Sequence, residues 1–220
     1  MIDLLRAPVG NGRKALVLIK LLNAPIKVNE VNSLKGETDV PKKEWYLEFT
    51  LHNGTPCVVT SNNIELYEGN ILLEYIAANY DTENKFHYSL ENSPRLNWKQ
   101  TQWLFFQSYH HAQRAVALAV IWLRDNPTDT IARDFALKCF DSALRTIDEQ
   151  ISKSKSGWFL GDKLTIVDIA FLVGEEGRRE VTRGTDWWID AGEKYPHAEK
   201  WYQRALNFDS SIKQILDEYS

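Results

Sequence analysis

Short apolar segments of the length of β-strands recur in the first eighty residues of the chain. The stretch "IDLLRA" is predicted to be the first strand, and "APIKVNEVN" alternates apolar and polar positions as a second strand does. The segments "TPCVVT" and "NIELYE" lie on either side of the polar turn "SNN". We predict that these two segments pair as a β-hairpin.

Segments with the apolar spacing of helices lie between these strands. In "NGRKALVLIKLLN" apolar residues stand at positions 15, 16, 18, 19 and 22, which predicts a helix. A short helix is predicted for "PKKEWYLEF", where Trp45 and Phe49 lie one turn apart, and a longer one for "EGNILLEYIAANY". The order βαβ, connecting helix, ββ, α is that of a thioredoxin-like domain. We therefore predict an α+β domain of this type over residues 1–82.

The pattern changes to long helices from Ser93 onwards. Ser93 and Pro94 suit the N-cap and the first position of a helix, and helical periodicity then continues for about thirty residues. A second long helix is predicted for "DTIARDFALKCFDSALRTIDEQIS". Its apolar stripe comprises Ile131, Phe135, Leu137, Phe140, Leu144, Ile147 and Ile151. These patterns predict an all-α domain over residues 94–220, with residues 83–93 as the linker.

A further helix start is marked by Thr165 and Asp168 in "GWFLGDKLTIVDIAFLV". The two residues have the spacing of a capping box, in which each side chain bonds the backbone N–H of the other. Leu164 and Ile169 stand at the flanking positions of a hydrophobic staple. By itself this motif predicts only that a helix begins here.

The composition is that of a globular protein, since 44% of the 220 residues are hydrophobic. The formal net charge is -4 and neither sign forms a long block, which argues against a nucleic-acid partner because phosphate binding needs a basic face. Cys57 and Cys139 form neither a Cys-x-x-Cys motif nor a disulfide framework. No apolar run has the length of a signal peptide or a membrane span. We therefore expect a cytoplasmic protein with no membrane partner.

Three motifs follow one another in the order "GTPCVV", "EGNILLEYIA" and "GDKLTIVDIA". In this order they resemble the cytosolic glutathione S-transferase superfamily, and the resemblance covers essentially the whole chain. The stretches "APVGNGRKALVLIKLLN", "YEGNILLEYI" and "QWLFFQ" are most similar to its fungal type, which includes the globular domain of the yeast nitrogen-regulatory prion protein. The resemblance implies the GST fold, in which an all-α C-terminal domain follows the thioredoxin-like domain, and a homodimer.

The resemblance also implies a glutathione site in the first domain. Thr55, which precedes a cis Pro56, would pair its main chain with the cysteinyl backbone of glutathione. Glu68 would face the γ-glutamyl ammonium, and the N–H groups of Gly69 and Asn70 would hold the γ-glutamyl carboxylate. Members of the superfamily usually have serine at the position of Gly69. Structural alternatives are a trans Pro56 on an edge strand, Glu68 as an ordinary N-terminal helix acid and Gly69 as a turn former.

Catalysis in this superfamily requires that the glutathione thiol is held as a thiolate near neutral pH. Relatives use Tyr, Ser or Cys for this, and "RAPVGNGRK" contains none of them. Asn11 is the candidate, because its amide can donate to the sulfur; the alternative is that Asn11 only caps the first helix, and the two roles are compatible. Arg13 and Lys14 are candidates for the glycyl carboxylate. For Arg13 and Lys14 we favour the alternative of solvated side chains.

The remaining candidates lie in the helical half or in the third strand. Gln107, His111 and Arg114, at helical spacing, are candidates for the electrophile pocket, and a solvated or dimer-facing position is the alternative for His111. Cys57 is interpreted as a buried, inert thiol, and the alternative is a nucleophile that forms a mixed disulfide with glutathione, as in some relatives. No metal site is predicted, because adjacent residues such as His110 and His111 point about 100° apart on a helix.

The sequence therefore predicts a glutathione transferase that uses glutathione as co-substrate, needs no other cofactor and acts on hydrophobic electrophiles, as in detoxification. Two alternatives on the same fold stay open, since the fold hosts all three. One is a non-catalytic glutathione-binding or regulatory scaffold protein. The other is a glutathione-dependent peroxidase or disulfide reductase. The sequence does not specify the electrophile.

Overall fold

The structure is a computed structural model that describes residues 2–6, 11–30, 57–59, 65–110, 126, 128–184 and 189–218. The chain forms two compact units. The first consists of Met1–Asn84 together with Asp209–Ser220, and the second of Lys85–Phe208. The predicted short helix over residues 41–49 lies outside the described residues.

The described part of the first unit contains strands and helices in the predicted order. In chain order they are β1 (Ile2–Arg6), α1 (Gly12–Leu22), β2 (Ile26–Glu30), β3 (Cys57–Val59), β4 (Glu65–Tyr67) and α2 (Gly69–Tyr80). These bounds confirm the predicted strands, the hairpin and both helices. A C-terminal helix (Ser210–Asp217) completes this unit, although the sequence interpretation had counted those residues with the helical half.

The sheet has the strand order β2-β1-β3-β4. In it β1 runs parallel to β2, with Leu4 opposite Val28, and antiparallel to β3, with Leu4 opposite Val58. The predicted hairpin is confirmed by the antiparallel pairing of β3 with β4. A parallel pair needs a crossover connection, and α1 provides it. The start of α1 therefore follows the carboxyl end of β1 along the chain.

Helix α1 is buried on all its faces for most of its length, since Gly12 to Ile19 are all inaccessible to solvent. It packs against α2 and against the C-terminal helix. Its end is formed by Asn23, which adopts a left-handed conformation with φ 49° and donates its N–H to the carbonyl groups of Ile19 and Lys20. Asn tolerates this conformation better than most residues, which explains the stop. This burial makes α1 the centre of the first unit.

The described part of the second unit is helical. In chain order its helices are α3 (Pro94–Phe106), α4 (Thr130–Ser152), α5 (Ile166–Thr182), α6 (Ala191–Lys194) and α7 (Pro196–Leu206), and the C-terminal helix Ser210–Asp217 of the first unit is α8. An aromatic cluster forms the core. Phe159 stacks on Phe171 with centroids 4.3 Å apart, and Trp201 and Trp103 meet Phe159 edge-on at 5.2 and 5.3 Å.

The structure confirms the predicted capping box at the start of α5, with both reciprocal bonds present between Thr165 and Asp168. The Asp168 carboxylate accepts the N–H and the Oγ1–H of Thr165, both at 2.9 Å, the N–H of Phe159 at 3.1 Å and the indole Nε1–H of Trp201 at 2.9 Å. Leu164 and Ile169, the predicted staple residues, are both buried. The carboxylate thus joins α5, α7 and the segment that precedes α5.

Two predictions about the long helices differ from the structure. The apolar stripe of α4 is buried only from Phe140 onwards, because Ile131 and Phe135 near its start are 84% and 48% exposed. Pro94 occupies the first position of α3 as predicted, but the Ser93 side chain makes no capping hydrogen bond. After Phe106 the helix continues as a π-helical turn over residues 107–110, and the rest of the predicted thirty-residue helix lies outside the described residues.

Candidate functional site

Asn11 lies at the N-cap position of α1, and its side chain makes no capping hydrogen bond. Its backbone has the helical angles φ −62° and ψ −20°, whereas a capping residue normally has an extended conformation. The residue is exposed. The interpretation of Asn11 as a side-chain cap is therefore wrong, and the amide lies on the surface where a ligand can reach it.

Glu68 precedes α2 in an unusual backbone conformation. Its φ is 77° and its ψ is 119°, which is a sparsely populated region for a residue with a side chain. Such a conformation is maintained only where the surroundings impose it, and it is frequent at ligand sites. The carbonyl of Glu68 accepts the N–H of Leu72, so the helix ladder of α2 begins at Leu72. The backbone N–H groups of the first turn point out of the helix start, where an anion is favoured.

The starts of α1 and α2 meet at Gly69. A Cβ atom at this position would lie 3.2 Å from the backbone oxygen and 3.3 Å from the Cβ of Asn11, and 3.3 Å from Cδ of Lys14. These distances are shorter than ordinary contacts between carbon atoms. Glycine therefore permits a close approach that serine, the usual residue of relatives, permits only if Asn11 or Lys14 moves. This approach places Asn11 beside the first turn of α2.

Lys14 is buried rather than solvated, which corrects the sequence-based prediction. The side chain is 2% exposed, and Nζ donates to Oδ1 of Asn70 at 2.9 Å. Burial lowers the pKa of Lys14 from 10.5 to about 7, although the negative charge of Glu68 acts in the opposite direction. The charged and neutral forms of the Lys14 side chain are therefore both populated near neutral pH.

Arg13 is also buried, at 1% exposure, so the prediction of a solvated side chain is wrong for this residue too. Its Nη1 donates to the backbone carbonyl of Leu216, 3.3 Å away in the last turn of α8. Carbonyl groups at a helix C-terminus lie outside the intrahelical ladder and favour positive charge. This contact gives Arg13 a structural role between α1 and α8, and Arg13 is not part of the site proposed below.

The other candidates are described only in part. Thr55, Pro56, His111 and Arg114 lie outside the described residues. Gln107 is wholly buried at the beginning of the π-helical turn after α3. Of Cys57 the structure describes the backbone, in β3.

Among the described residues, no group of His, Cys, Asp or Glu side chains is arranged to hold a metal ion. No helix in this part of the chain combines the length and the apolar character that a bilayer crossing requires.

Known proteins share this fold and sequence pattern. The family model described as "Glutathione S-transferase, C-terminal domain" matches residues 128–204. The crystal structure of a glutathione S-transferase-like protein from Lodderomyces elongisporus is similar with a TM-score of 0.92 and 39% identity, and covers 100% of this chain and 96% of that chain. Ure2p5 from Phanerochaete chrysosporium, cocrystallised with 1-(S-glutathionyl)-2,4-dinitrobenzene, has a TM-score of 0.81 at 22% identity over 99% of this chain and 94% of that chain.

A curated relative gives the same result from sequence. Glutathione S-transferase 1 of Schizosaccharomyces pombe is 23% identical over 226 residues, which span 96% of this chain and 92% of the relative. The structural likenesses establish that this protein has the GST fold. Since the Lodderomyces elongisporus protein is 39% identical over the whole chain, this chain belongs to the glutathione S-transferase family, and these relatives are fungal.

Lys14 is the site residue whose burial and contact with Asn70 sequence reasoning missed. It lies three residues after Asn11, close to one helical turn, so its position next to the candidate donor was visible in the sequence. Its partner Asn70 follows 56 residues later, and no local pattern indicates that pairing.

Proposed function

We propose that this protein binds glutathione where α1 and α2 begin and transfers its thiolate to a hydrophobic electrophile in the cytoplasm. The observation that carries this proposal is the contact of Asn11 with Gly69. It brings the candidate donor to the sulfur next to the helix start that suits the γ-glutamyl carboxylate. The sulfur and the γ-glutamyl carboxylate of glutathione would thus both be bound by residues of the first unit.

The relatives support the choice of ligand. Ure2p5 from Phanerochaete chrysosporium was cocrystallised with a glutathione conjugate of dinitrobenzene. Such a conjugate is the product expected when the thiolate attacks an aryl halide, because a sulfur–carbon bond forms and halide leaves. We infer the same reaction type here. The electrophile-pocket candidates Gln107, His111 and Arg114 stay predictions.

Each residue of the site has a distinct task in this proposal. The N–H groups of Gly69 and Asn70 hold the γ-glutamyl carboxylate, with help from the α2 dipole. The Glu68 carboxylate faces the γ-glutamyl ammonium, and the positive φ of Glu68 fixes the turn from which it does so. The amide of Asn11 donates to the sulfur and favours the thiolate over the thiol. Thr55 pairs with the cysteinyl backbone.

The test uses the wild-type protein. We expect retention on immobilised glutathione and turnover of 1-chloro-2,4-dinitrobenzene with glutathione. Retention without turnover of the aryl halide, of a peroxide or of a glutathione mixed disulfide would favour the non-catalytic binding protein. A protein that neither binds the column nor shows binding of glutathione by calorimetry would contradict the proposal.

Asn11→Ala is expected to slow turnover by roughly tenfold to thirtyfold, because one hydrogen bond to a charged acceptor is lost. The pKa of the bound glutathione thiol should rise, while the affinity for glutathione changes little. Asn11→Ser should retain the rate, since a hydroxyl also donates to the sulfur. The measurement is a titration of the ultraviolet absorbance of the thiolate with glutathione bound.

The same thiol pKa in wild type, Asn11→Ala and Asn11→Ser would remove Asn11 from the reaction. The donor would then have to be a backbone N–H group of Gly12 or Arg13, which no side-chain substitution deletes. Stability measurements serve as the control. Because the Asn11 side chain makes no capping bond, both variants should unfold at nearly the wild-type urea concentration.

We also infer that the protein is a homodimer. Large apolar side chains are exposed on α3 and α4, among them Trp98, Phe105 and Ile131 at 65%, 69% and 84%. In a homodimer a partner chain would cover side chains of this kind, provided that they form one continuous patch. Light scattering should give twice the mass of the chain, and the mass of a single chain at micromolar concentration would contradict the inference.

A further inference from the structure

Lys14 has no task in the chemistry proposed above, yet it lies inside the site. Its stem passes Gly69, where Cδ occupies space that a side chain at that position would need. Its Nζ donates to Oδ1 of Asn70, in the first turn of α2. Lysine is almost never fully buried unless its charge is balanced, so the position requires an explanation.

The ammonium lies where helix electrostatics oppose it. The N-terminus of α2 carries the positive end of the helix dipole, and cations are favoured at the opposite end. The neighbouring Arg13 shows the favourable arrangement, because its guanidinium meets the C-terminal turn of α8. Arg13 thus contacts the C-terminal end of α8, whereas the adjacent Lys14 contacts the N-terminal end of α2. The placement of Lys14 concentrates positive charge at the start of α2.

Positive charge at this point is balanced in part by Glu68. That carboxylate favours the charged form of Lys14, but Glu68 is exposed and burial has the larger effect on the lysine. A negative charge bound at the start of α2 is attracted by this ammonium. The γ-glutamyl carboxylate of glutathione would bring that charge to the same helix turn.

The hydrogen bond also determines how Asn70 is oriented. In its charged form Lys14 only donates, so the amide atom that faces it is then the oxygen. The NH2 end of the Asn70 amide is therefore directed away from Lys14. Substitution of Lys14 removes this constraint on the amide. Lys14 thus determines in which direction the NH2 group of Asn70 points.

We propose that Lys14 is a positioning residue that makes the glutathione site selective for the γ-glutamyl carboxylate, by orienting Asn70 and by adding positive charge behind the first turn of α2. This inference rests on the proposed function. Lys14 acts through Asn70 and through its field, so it need not touch glutathione. Its effect should therefore depend on the carboxylate of the ligand and not on the thiol.

The experiment measures the binding of three peptides by calorimetry. One is S-methylglutathione. The second is the same peptide with γ-aminobutyrate in place of the γ-glutamyl residue, which removes the carboxylate and keeps the ammonium. The third has a carboxamide in place of the carboxylate, which removes the charge and keeps a group of similar shape. The variants are Lys14→Met and Asn70→Ala. Lys20→Met is the matched control, since it removes the same charge from an exposed position of α1.

Lys14→Met should weaken binding of S-methylglutathione by about tenfold and leave binding of the carboxamide peptide nearly unchanged. Asn70→Ala should show the same selectivity with a smaller loss, and Lys20→Met should bind all three peptides like wild type. Equal losses for S-methylglutathione and the carboxamide peptide, or no loss for either, would overturn the inference.

Two further results keep the outcomes distinct. If wild type binds none of the peptides, the proposed function is wrong and this inference with it. If wild type binds S-methylglutathione and Lys14→Met does so equally well, only this inference is wrong. Urea unfolding of each variant excludes a loss that reflects misfolding. If Lys14→Met does not fold, Asn70→Ala provides the test. A wild-type preference of that variant for S-methylglutathione over the carboxamide peptide would contradict the role of the amide.

Discussion

The Lys14→Met variant is expected to be more stable than the wild type at pH values below about 7, by about 2 to 4 kcal/mol. Methionine fills similar space without a charge, so the variant avoids the burial of an ammonium. The pKa of Lys14, lowered from 10.5 to about 7, corresponds to a cost of about 5 kcal/mol when the ammonium is charged. The lost bond to Asn70 offsets about 1 to 3 kcal/mol of the gain.

The sign of the pH dependence follows from proton binding. The unfolded chain keeps Lys14 protonated up to about pH 10.5, whereas the folded protein releases this proton above about 7. Between these values the unfolded state binds more protons, so Lys14 makes wild-type stability rise with pH. The advantage of Lys14→Met should therefore be largest below about pH 7 and decrease towards pH 10.5.

Urea unfolding on both sides of neutral pH measures this difference. Lys20→Met again serves as the control, because its lysine is exposed and its removal should alter stability little at any pH. An advantage of Lys14→Met that is constant with pH would show that its cause is packing and not the buried charge. Together with weaker glutathione binding, the expected result would mark Lys14 as a residue that serves function at a cost in stability.

Asp168→Ala is expected to destabilise the protein by about 3 to 5 kcal/mol. The substitution removes the acceptor of four hydrogen bonds, from two groups of Thr165, from Phe159 and from Trp201. Burial raises the pKa of Asp168, and these bonds offset part of that cost, so the donors and the carboxylate depend on one another. Without the carboxylate, buried donors have no acceptor, which is more costly than the loss of a surface cap.

Asp129→Ala provides the comparison for this prediction. Asp129 is the N-cap of α4, and its side chain accepts the N–H of Ala132 at 2.9 Å in a partly buried setting. Its loss should cost about 1 kcal/mol, as is usual for a cap. Thr165→Ala combined with Asp168→Ala should cost less than the sum of the single effects, because the two caps are reciprocal. Urea midpoints that fall equally for Asp168→Ala and Asp129→Ala would show that the bonds to Trp201 and Phe159 contribute little.

Local patterns predicted the elements that local physics determines. Apolar spacing located α1 and α2, the polar turn located the hairpin, and the spacing of Thr165 and Asp168 located the start of α5. The apolar stripe of α4 predicted which face of the helix is apolar. It could not predict that the first turns remain exposed, because that depends on how far neighbouring helices extend.

The candidate site was predicted less completely, because its geometry depends on residues that are distant in the chain. Lys14 and Arg13 were assigned to the solvent, as basic residues usually are, but their partners Asn70 and Leu216 lie 56 and 203 residues away. In the sequence, Gly69 shows only a departure from the serine that members of the superfamily usually have. Only the positions of Asn11 and Lys14 reveal that glycine also gives them the space to approach.

The contact of Arg13 with α8 has a consequence for how the protein folds during synthesis. The first unit is discontinuous in sequence, because α8 joins it after the whole of the second unit. Domains generally fold as they leave the ribosome, N-terminal parts first. Here the first unit stays incomplete until α8 has been synthesised, which is after the whole helical unit. The guanidinium of Arg13 can therefore bind the Leu216 carbonyl only at the end of synthesis.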